Sequence, residues 1–161
     1  MNTLLFIALA IIATYITATI ALTGSVPCSI SNTYYIWRDM FNIRFLFTFV
    51  MWIVGMLTVI CWIGKCGGKF EFLPFLSVSG MCFVGGASAF KETLTQGVHY
   101  TAAGVWAGSA LAFFALMHLW LAILIGAFCG LVGFALNRRQ NLTFWAEIAV
   151  VCVMFSGILM L

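Results

Sequence analysis

Polar side chains divide the chain into five apolar stretches, Thr3–Leu22, Phe45–Ile63, Phe72–Phe90, Val98–Leu136 and Leu142–Leu161. A helix needs about 20 such residues, at a rise of about 1.5 Å each, to cross the hydrocarbon of a bilayer. Four stretches have that length. The fourth in order has 39 residues and would be about 58 Å long as one helix, twice the hydrocarbon thickness, so it is expected to fold back on itself. The reversal is placed near Met117–Trp120, where His118 and Trp120 suit a membrane interface although neither Gly nor Pro marks a turn. The predicted fold is therefore all-α, a polytopic transmembrane bundle of six helices forming one domain over residues 1–161. A five-helix bundle with one long tilted or re-entrant segment is the alternative.

Composition agrees with the pattern. Hydrophobic residues make up 65% of the chain, and the charged side chains number seven basic and four acidic. All but one lie in the gaps between stretches, as expected where an ion in hydrocarbon costs several kcal/mol and a helix satisfies its own backbone. The exception is Glu147. The net charge of +3 comes from scattered residues with no basic cluster, which argues against a nucleic-acid partner and makes the lipid bilayer the expected one. In a six-helix chain the odd-numbered connections hold Arg38, Arg44, Lys91, Arg138 and Arg139, against Lys65 and Lys69 in the even ones. That bias puts the odd connections in the cytoplasm and both termini outside. A five-helix chain would give four against three and no preference. The first stretch begins without a basic leader and is long enough to span, so it is expected to be a retained helix rather than a signal peptide.

Of the six cysteines, Cys61, Cys82, Cys129 and Cys152 lie in apolar stretches and read as small hydrophobes. Cys28 and Cys66 belong to opposite faces and cannot pair within one chain. Small residues supply a packing signal: Gly104-x-x-x-Gly108, Gly126-x-x-x-Gly130 and the group Gly80, Gly85, Gly86, Ala87 and Ser88 each predict close helix contact. The same faces, Gly104, Gly108, Gly126 and Gly130, would serve a homo-oligomer if they did not pack within the bundle.

Polar residues with chemical potential gather on one side of the predicted membrane. The first connection, from Ser25 through Ser29, Ser31, Tyr34, Tyr35 and Arg38 to Asp39, is too organised for a simple linker. The third leads directly into His99 and Tyr100 on the same face. Glu147 lies six residues past Asn141, about 9 Å into the membrane from that face. A carboxylate there seeks a partner or a hydrated cavity. His99 is the natural candidate, with Ser29, Tyr34, Arg38 and Asp39 at the mouth of the resulting ligand-binding pocket. His118 is separated from His99 by nineteen residues, about 28 Å of helix, and belongs to the opposite face.

The run Pro27-Cys28-Ser29-Ile30-Ser31-Asn32-Thr33-Tyr34-Tyr35, together with Val98-His99-Tyr100-Thr101-Ala102-Ala103, resembles an uncharacterised family of bacterial six-helix integral membrane proteins. That family has a P-x-S-I-S loop ending in paired tyrosines and a later H-Y-x-x-A motif. The resemblance covers residues 25–115 and implies a multi-pass protein of the bacterial inner membrane. A more distant likeness is to the alkaline-ceramidase-like membrane hydrolases, whose sites combine serine, aspartate and histidines around zinc. Ser29 or Ser31, Asp39 and His99 match that set by residue type, but the late H-x-x-x-H pair is missing.

Three function classes follow. The leading one is a protein that binds or transports a small or lipid-like ligand at a polar site on one membrane face. The second is a metal-dependent membrane hydrolase using Ser29, Asp39, His99 and Glu147. The third is a structural or effector protein acting through helix-mediated oligomerisation. No phosphate-binding glycine loop, H-E-x-x-H or G-x-S-x-G motif supports other chemistry.

Overall fold

The computed structural model describes every residue except Phe90, Glu92 and Arg139, and the side chains of all described residues except Thr93 and Leu94. Its helices run in the order α1 Asn2–Thr23, α2 Thr33–Phe41, α3 Leu46–Cys66, α4 Phe72–Gly86, α5 Thr93–Leu116, α6 Trp120–Leu136 and α7 Leu142–Met160. The described residues contain no strand. Six helices arise from the apolar stretches, and α2 is an addition within the first connection. Three of them, α1, α3 and α7, are long and apolar enough to cross a membrane. The 15 residues of α4 and 17 of α6 extend about 22 and 25 Å. The 24-residue α5 opens with Thr95, Gln96, His99, Tyr100 and Thr101 in its first turns. The third stretch, expected to continue to Phe90, stops being helical at Gly86, and Phe90 itself lies outside the described residues.

The long fourth stretch breaks between Leu116 and Trp120. His118 adopts a left-handed conformation at φ 57°, its N–H donates to Ala115 O at 3.0 Å, and Leu119 N–H donates to Phe114 O at 2.8 Å. That pair of bonds closes a helix C-terminus in the pattern that usually employs glycine. Histidine is among the residues that enter the left-handed region more readily than most, which is how the chain turns without Gly or Pro.

Packing follows the small residues, though not all of them. The helix α6 lies along α7, and α4 lies between α3 and α5. A Cβ on Gly126 would sit 2.2 Å from Val153 Cγ2 and 2.6 Å from Ala149 O of α7, and one on Gly80 would sit 2.6 Å from the backbone nitrogen of Trp106 in α5. Gly130 meets the same α7 face at Trp145 O and Ala149 Cβ. Gly126 and Gly130 therefore make close contact with α7 within the chain. Gly104 and Gly108 correct the expectation of close contact: nothing lies within 4 Å of their Cβ positions. The side of α5 that meets its neighbours carries Ala102, Trp106 and Ala110 instead. At the heart of the bundle Trp62 stacks on Phe114 with centroids 4.9 Å apart and meets Phe113 edge-on at 5.2 Å. Gly157 leaves the room that the Phe114 ring fills.

The two ends of the bundle differ. At one, Cys61 Sγ reaches Met1 O at 3.2 Å and Lys65 Nζ donates to Ile158 O at 2.8 Å, near both chain termini. At the other, Asn141 Nδ2 donates to Val26 O at 2.8 Å and the Lys91 N–H to Tyr35 Oη at 2.7 Å. Arg38, Lys91 and Arg138 thus lie at the end opposite Lys65, while Arg139 lies outside the described residues.

Gly126→Ala and Gly80→Ala should each destabilise the bundle by about 1–3 kcal/mol through overpacking against backbone. Gly104→Ala, facing open space, should be neutral or stabilising by up to about 1 kcal/mol from helix propensity. Unfolding of the three variants in detergent checks the contrast.

Candidate functional site

The site begins with how the first connection folds. Ser29 accepts the Asn32 N–H through its side-chain oxygen at 2.9 Å and through its carbonyl at 3.2 Å. This local bonding is the usual role of serine at a turn into a helix. The Thr33 hydroxyl donates to Ile30 O at 2.5 Å, so the Tyr15 hydroxyl, 2.6 Å from it, supplies the proton of their bond. Trp37 Nε1 donates to Thr19 Oγ1 at 2.9 Å, and its ring stacks with Tyr15. These contacts fasten α2 to α1. Ser29, Ser31, Thr33, Tyr34 and Tyr35 are all buried.

This fastening presents the backbone of the turn to α7. The Ile30 N–H donates to Glu147 Oε2, and Ser31 Oγ lies 3.4 Å from Oε1. The same Ser31 Oγ is 3.1 Å from His99 Nε2, while His99 Nδ1 is 3.0 Å from Ala87 O at the end of α4. A carbonyl can only accept, so Nδ1 is the protonated nitrogen and Nε2 faces the serine. Ser31 therefore joins α5 to α7. Ser31 and His99 are each 3% exposed, and Glu147 is partly buried.

These groups line one wall of a cleft of about 470 Å³ between α5, α7 and the turn. Ser29, Asn32 and Lys91 stand at its polar end, and Ala103, Trp106, Ala107, Ala146 and Val150 form an apolar flank. The indole N–H of Trp106 is buried and has no acceptor, a condition it shares with Trp62 and Trp145, which do not line the cleft.

Of the six residues singled out from sequence, Ser29, His99 and Glu147 line the cleft, whereas Tyr34, Arg38 and Asp39 do not. The helical geometry of α2 explains the difference. Tyr34 turns inward and meets Tyr35 edge-on at 5.0 Å. Arg38 pairs with the adjacent Asp39 at 2.7 Å and lays its guanidinium 4.8 Å from the Tyr35 ring centre. The hydrogen bond from Arg38 holds the Asp39 carboxyl below its usual range. So exposed a pair contributes little to stability.

Sequence reasoning passed over the pivotal position of Ser31, the Ile30 amide and the Ala87 carbonyl. Backbone groups carry no signature in a sequence, and Ser31 differs from Ser29 only in which way a turn points it. Lys91 was also missed as a cleft residue; its ammonium sits 4.4 Å over the Tyr35 ring. Among the described residues no three His, Cys, Asp or Glu side chains are grouped as a metal requires. The donor set implied by the ceramidase likeness is not assembled, with Asp39 turned to Arg38. Comparison of the chain with protein-family models, curated proteins and solved structures finds no match.

Ser31→Ala should cost about 1–3 kcal/mol, because it leaves His99 Nε2 and one Glu147 oxygen without their shared hydroxyl in a buried setting. Tyr34→Phe, which keeps the edge-on ring contact, should change stability by less than about 0.5 kcal/mol. Denaturant titration of both variants in the same detergent measures the difference.

Proposed function

We propose that the protein is a multi-pass protein of a bacterial inner membrane and that its cleft binds or carries a small amphiphile. In this reading α1, α3, α4, α5, α6 and α7 cross the bilayer, both termini lie outside, and the cleft opens toward the cytoplasm. The outward face of the bundle supports membrane immersion: Phe49, Phe75, Phe128 and Leu131 are each at least 58% exposed, more apolar surface than a soluble protein leaves in water. The excess of basic residues at the cleft end supports the orientation.

The observation that carries the functional reading is the cleft's two-sided character. Hydrogen-bonding groups cluster at one end around Glu147, Ser31 and His99, while alanines, Val150 and the Trp106 ring continue away from them along α5 and α7. That arrangement suits a molecule with a polar head and an apolar body. Tyr100, Thr143 and Ala146 on the rim are exposed on the outside of the bundle, so a ligand can enter sideways from the lipid.

Two measurements test this reading. With Cys28 changed to serine, an impermeant thiol reagent should label Lys69→Cys on intact cells and reach Arg138→Cys only after permeabilisation; equal labelling of both would defeat the topology. Ala107→Trp, which fills the apolar flank, should abolish binding of a chain-labelled phospholipid while unfolding as the parent does. Undiminished binding would show that the cleft is not the site.

A further inference from the structure

At the end of the bundle opposite the cleft, Lys69, Phe70, Leu116, Met117 and His118 line a second hollow of about 520 Å³. Two turns build it. After α3 the chain passes through Gly67 and Gly68, left-handed at φ 62° and 81°, and the Lys69 N–H donates to Cys66 O at 3.2 Å. Phe70 is itself left-handed at φ 52°, and its carbonyl accepts the Leu73 N–H at 2.9 Å as α4 begins. The facing side is the hydrogen-bonded turn at His118 between α5 and α6. Lys69 and His118 thus leave short connections whose backbones are fixed by their own bonds.

Neither polar side chain is used by the protein. Among the described residues the ammonium of Lys69 and the imidazole of His118 have no hydrogen-bond or ion-pair partner, the one ion pair being Arg38–Asp39. Lys65, the other lysine at this end, donates to Ile158 O. The acid in the α3–α4 connection, Glu71, is exposed and pairs with neither group. Helix dipoles do not set the sign here, because α3 and α5 bring carbonyls to the two turns while α4 and α6 bring N–H groups, and opposed ends offset one another. What remains is the Lys69 ammonium and the ring N–H of His118 beside one space.

The apolar part of the hollow separates a lipid from a soluble anion. Phe70 and Leu116 are 41% and 50% exposed, and Phe72 and Trp120, close to them in sequence, are exposed as well. In the membrane placement proposed above, these side chains lie where headgroups meet hydrocarbon. A ligand there meets N–H donors on its water side and aromatic and aliphatic surface on its bilayer side. A phosphodiester supplies charged acceptor oxygens to both donors, and its glycerol carries acyl chains toward the bilayer.

We propose that Lys69 and His118 hold the phosphodiester of an outer-leaflet phospholipid, whose acyl chains pass over Phe70 and Leu116 and whose head alcohol projects into water. This inference rests on the membrane placement in the proposed function and is independent of what the cleft binds.

The chain has two histidines, His99 in the cleft wall and His118 in this hollow. The full chain, labelled with carbon-13 at histidine Cε1 and held in maltoside micelles at fixed pH, therefore reports both sites in one NMR spectrum, and His118→Gln assigns the signals. Phosphatidylcholine, phosphatidylglycerol, a diacylglycerol of the same chains and glycerol phosphate are titrated separately. Both phospholipids should shift the His118 signal saturably. Diacylglycerol, which lacks the phosphate, and glycerol phosphate, which lacks the chains, should leave it in place. Lys69→Gln should raise the lipid concentration at half-shift by about threefold, the scale of an exposed ion pair. Arg44→Gln, which removes the same charge from an exposed position at the cleft end, should not change it. A response to phosphatidylglycerol without one to phosphatidylcholine reports micelle charge and overturns the inference. So does an equal response to diacylglycerol or glycerol phosphate, or a Lys69→Gln curve that coincides with the parent's. A shift of His99 alone overturns it and leaves the cleft standing. A chain that stays monodisperse once detergent is removed defeats the membrane placement on which the inference rests.

Discussion

Glu147 is a carboxylate set within an otherwise apolar helix, and much of the architecture at its end of the molecule answers that single fact. An unpartnered carboxylate among aliphatic side chains is costly, and the cost falls steeply once its oxygens accept hydrogen bonds. The partners come from the connection before α2, where Ile30 supplies its backbone N–H and Ser31 its hydroxyl. For those donors to stay in place the connection itself must be rigid. Its rigidity comes from the Ser29 turn, the Thr33–Ile30 bond and the attachment of Tyr15 and Trp37 between α1 and α2. The polar loop thus behaves as part of the bundle's interior.

The same bonds explain why His99 is buried without disrupting the packing. Its two ring nitrogens face Ala87 O and Ser31 Oγ, so α5 is registered against the end of α4 on one side and against the turn on the other. Ser31 is the point where these constraints meet. A hydroxyl can both donate and accept, which lets one small side chain serve an imidazole and a carboxyl whatever their protonation. Neither alanine, which lacks the hydroxyl, nor asparagine, whose donor and acceptor are separate atoms, can do the same in that space.

How far this was legible in the sequence depends on the kind of signal. Long apolar runs announce helices because burial and backbone satisfaction act along the whole element, and all six such helices appear. Glu147 and His99 were legible as polar exceptions to that pattern. The α2 helix was not, because Thr33–Phe41 mixes aromatic, charged and polar residues and owes its position to contacts with α1 distant in sequence. The turn at His118 was legible only from the length of the stretch, because its left-handed backbone is fixed by two hydrogen bonds rather than by a residue that demands it. Gly104-x-x-x-Gly108 shows the converse, a motif whose meaning depends on which face the neighbouring helices take. The two glycines lie on the side of α5 away from α4, and the contact they would permit is not made.

The placement of the cleft follows from the same division of helix faces. Gly80 brings α4 against Ala102 and Trp106 of α5, and Gly126 and Gly130 bring α6 against Ala149 and Val153 of α7. Backbones pressed together this closely leave no room between the glycines and the residues they meet, although an almost wholly apolar groove of about 500 Å³ runs outside the α4–α5 contact past Leu76, Phe83 and Val98. The α5–α7 boundary has no glycine-mediated approach of that kind near its polar end. There the two helices are held apart at the width of the Ser31 bridge, and between them lie the small side chains Ala103, Ala107 and Ala146. Volume left by alanines next to a fixed polar cluster is neither filled by the protein nor lined on one side only by apolar groups. What sets the α5–α7 boundary apart from the apolar α4–α5 groove is that its open volume adjoins the polar cluster of Ser31, His99 and Glu147.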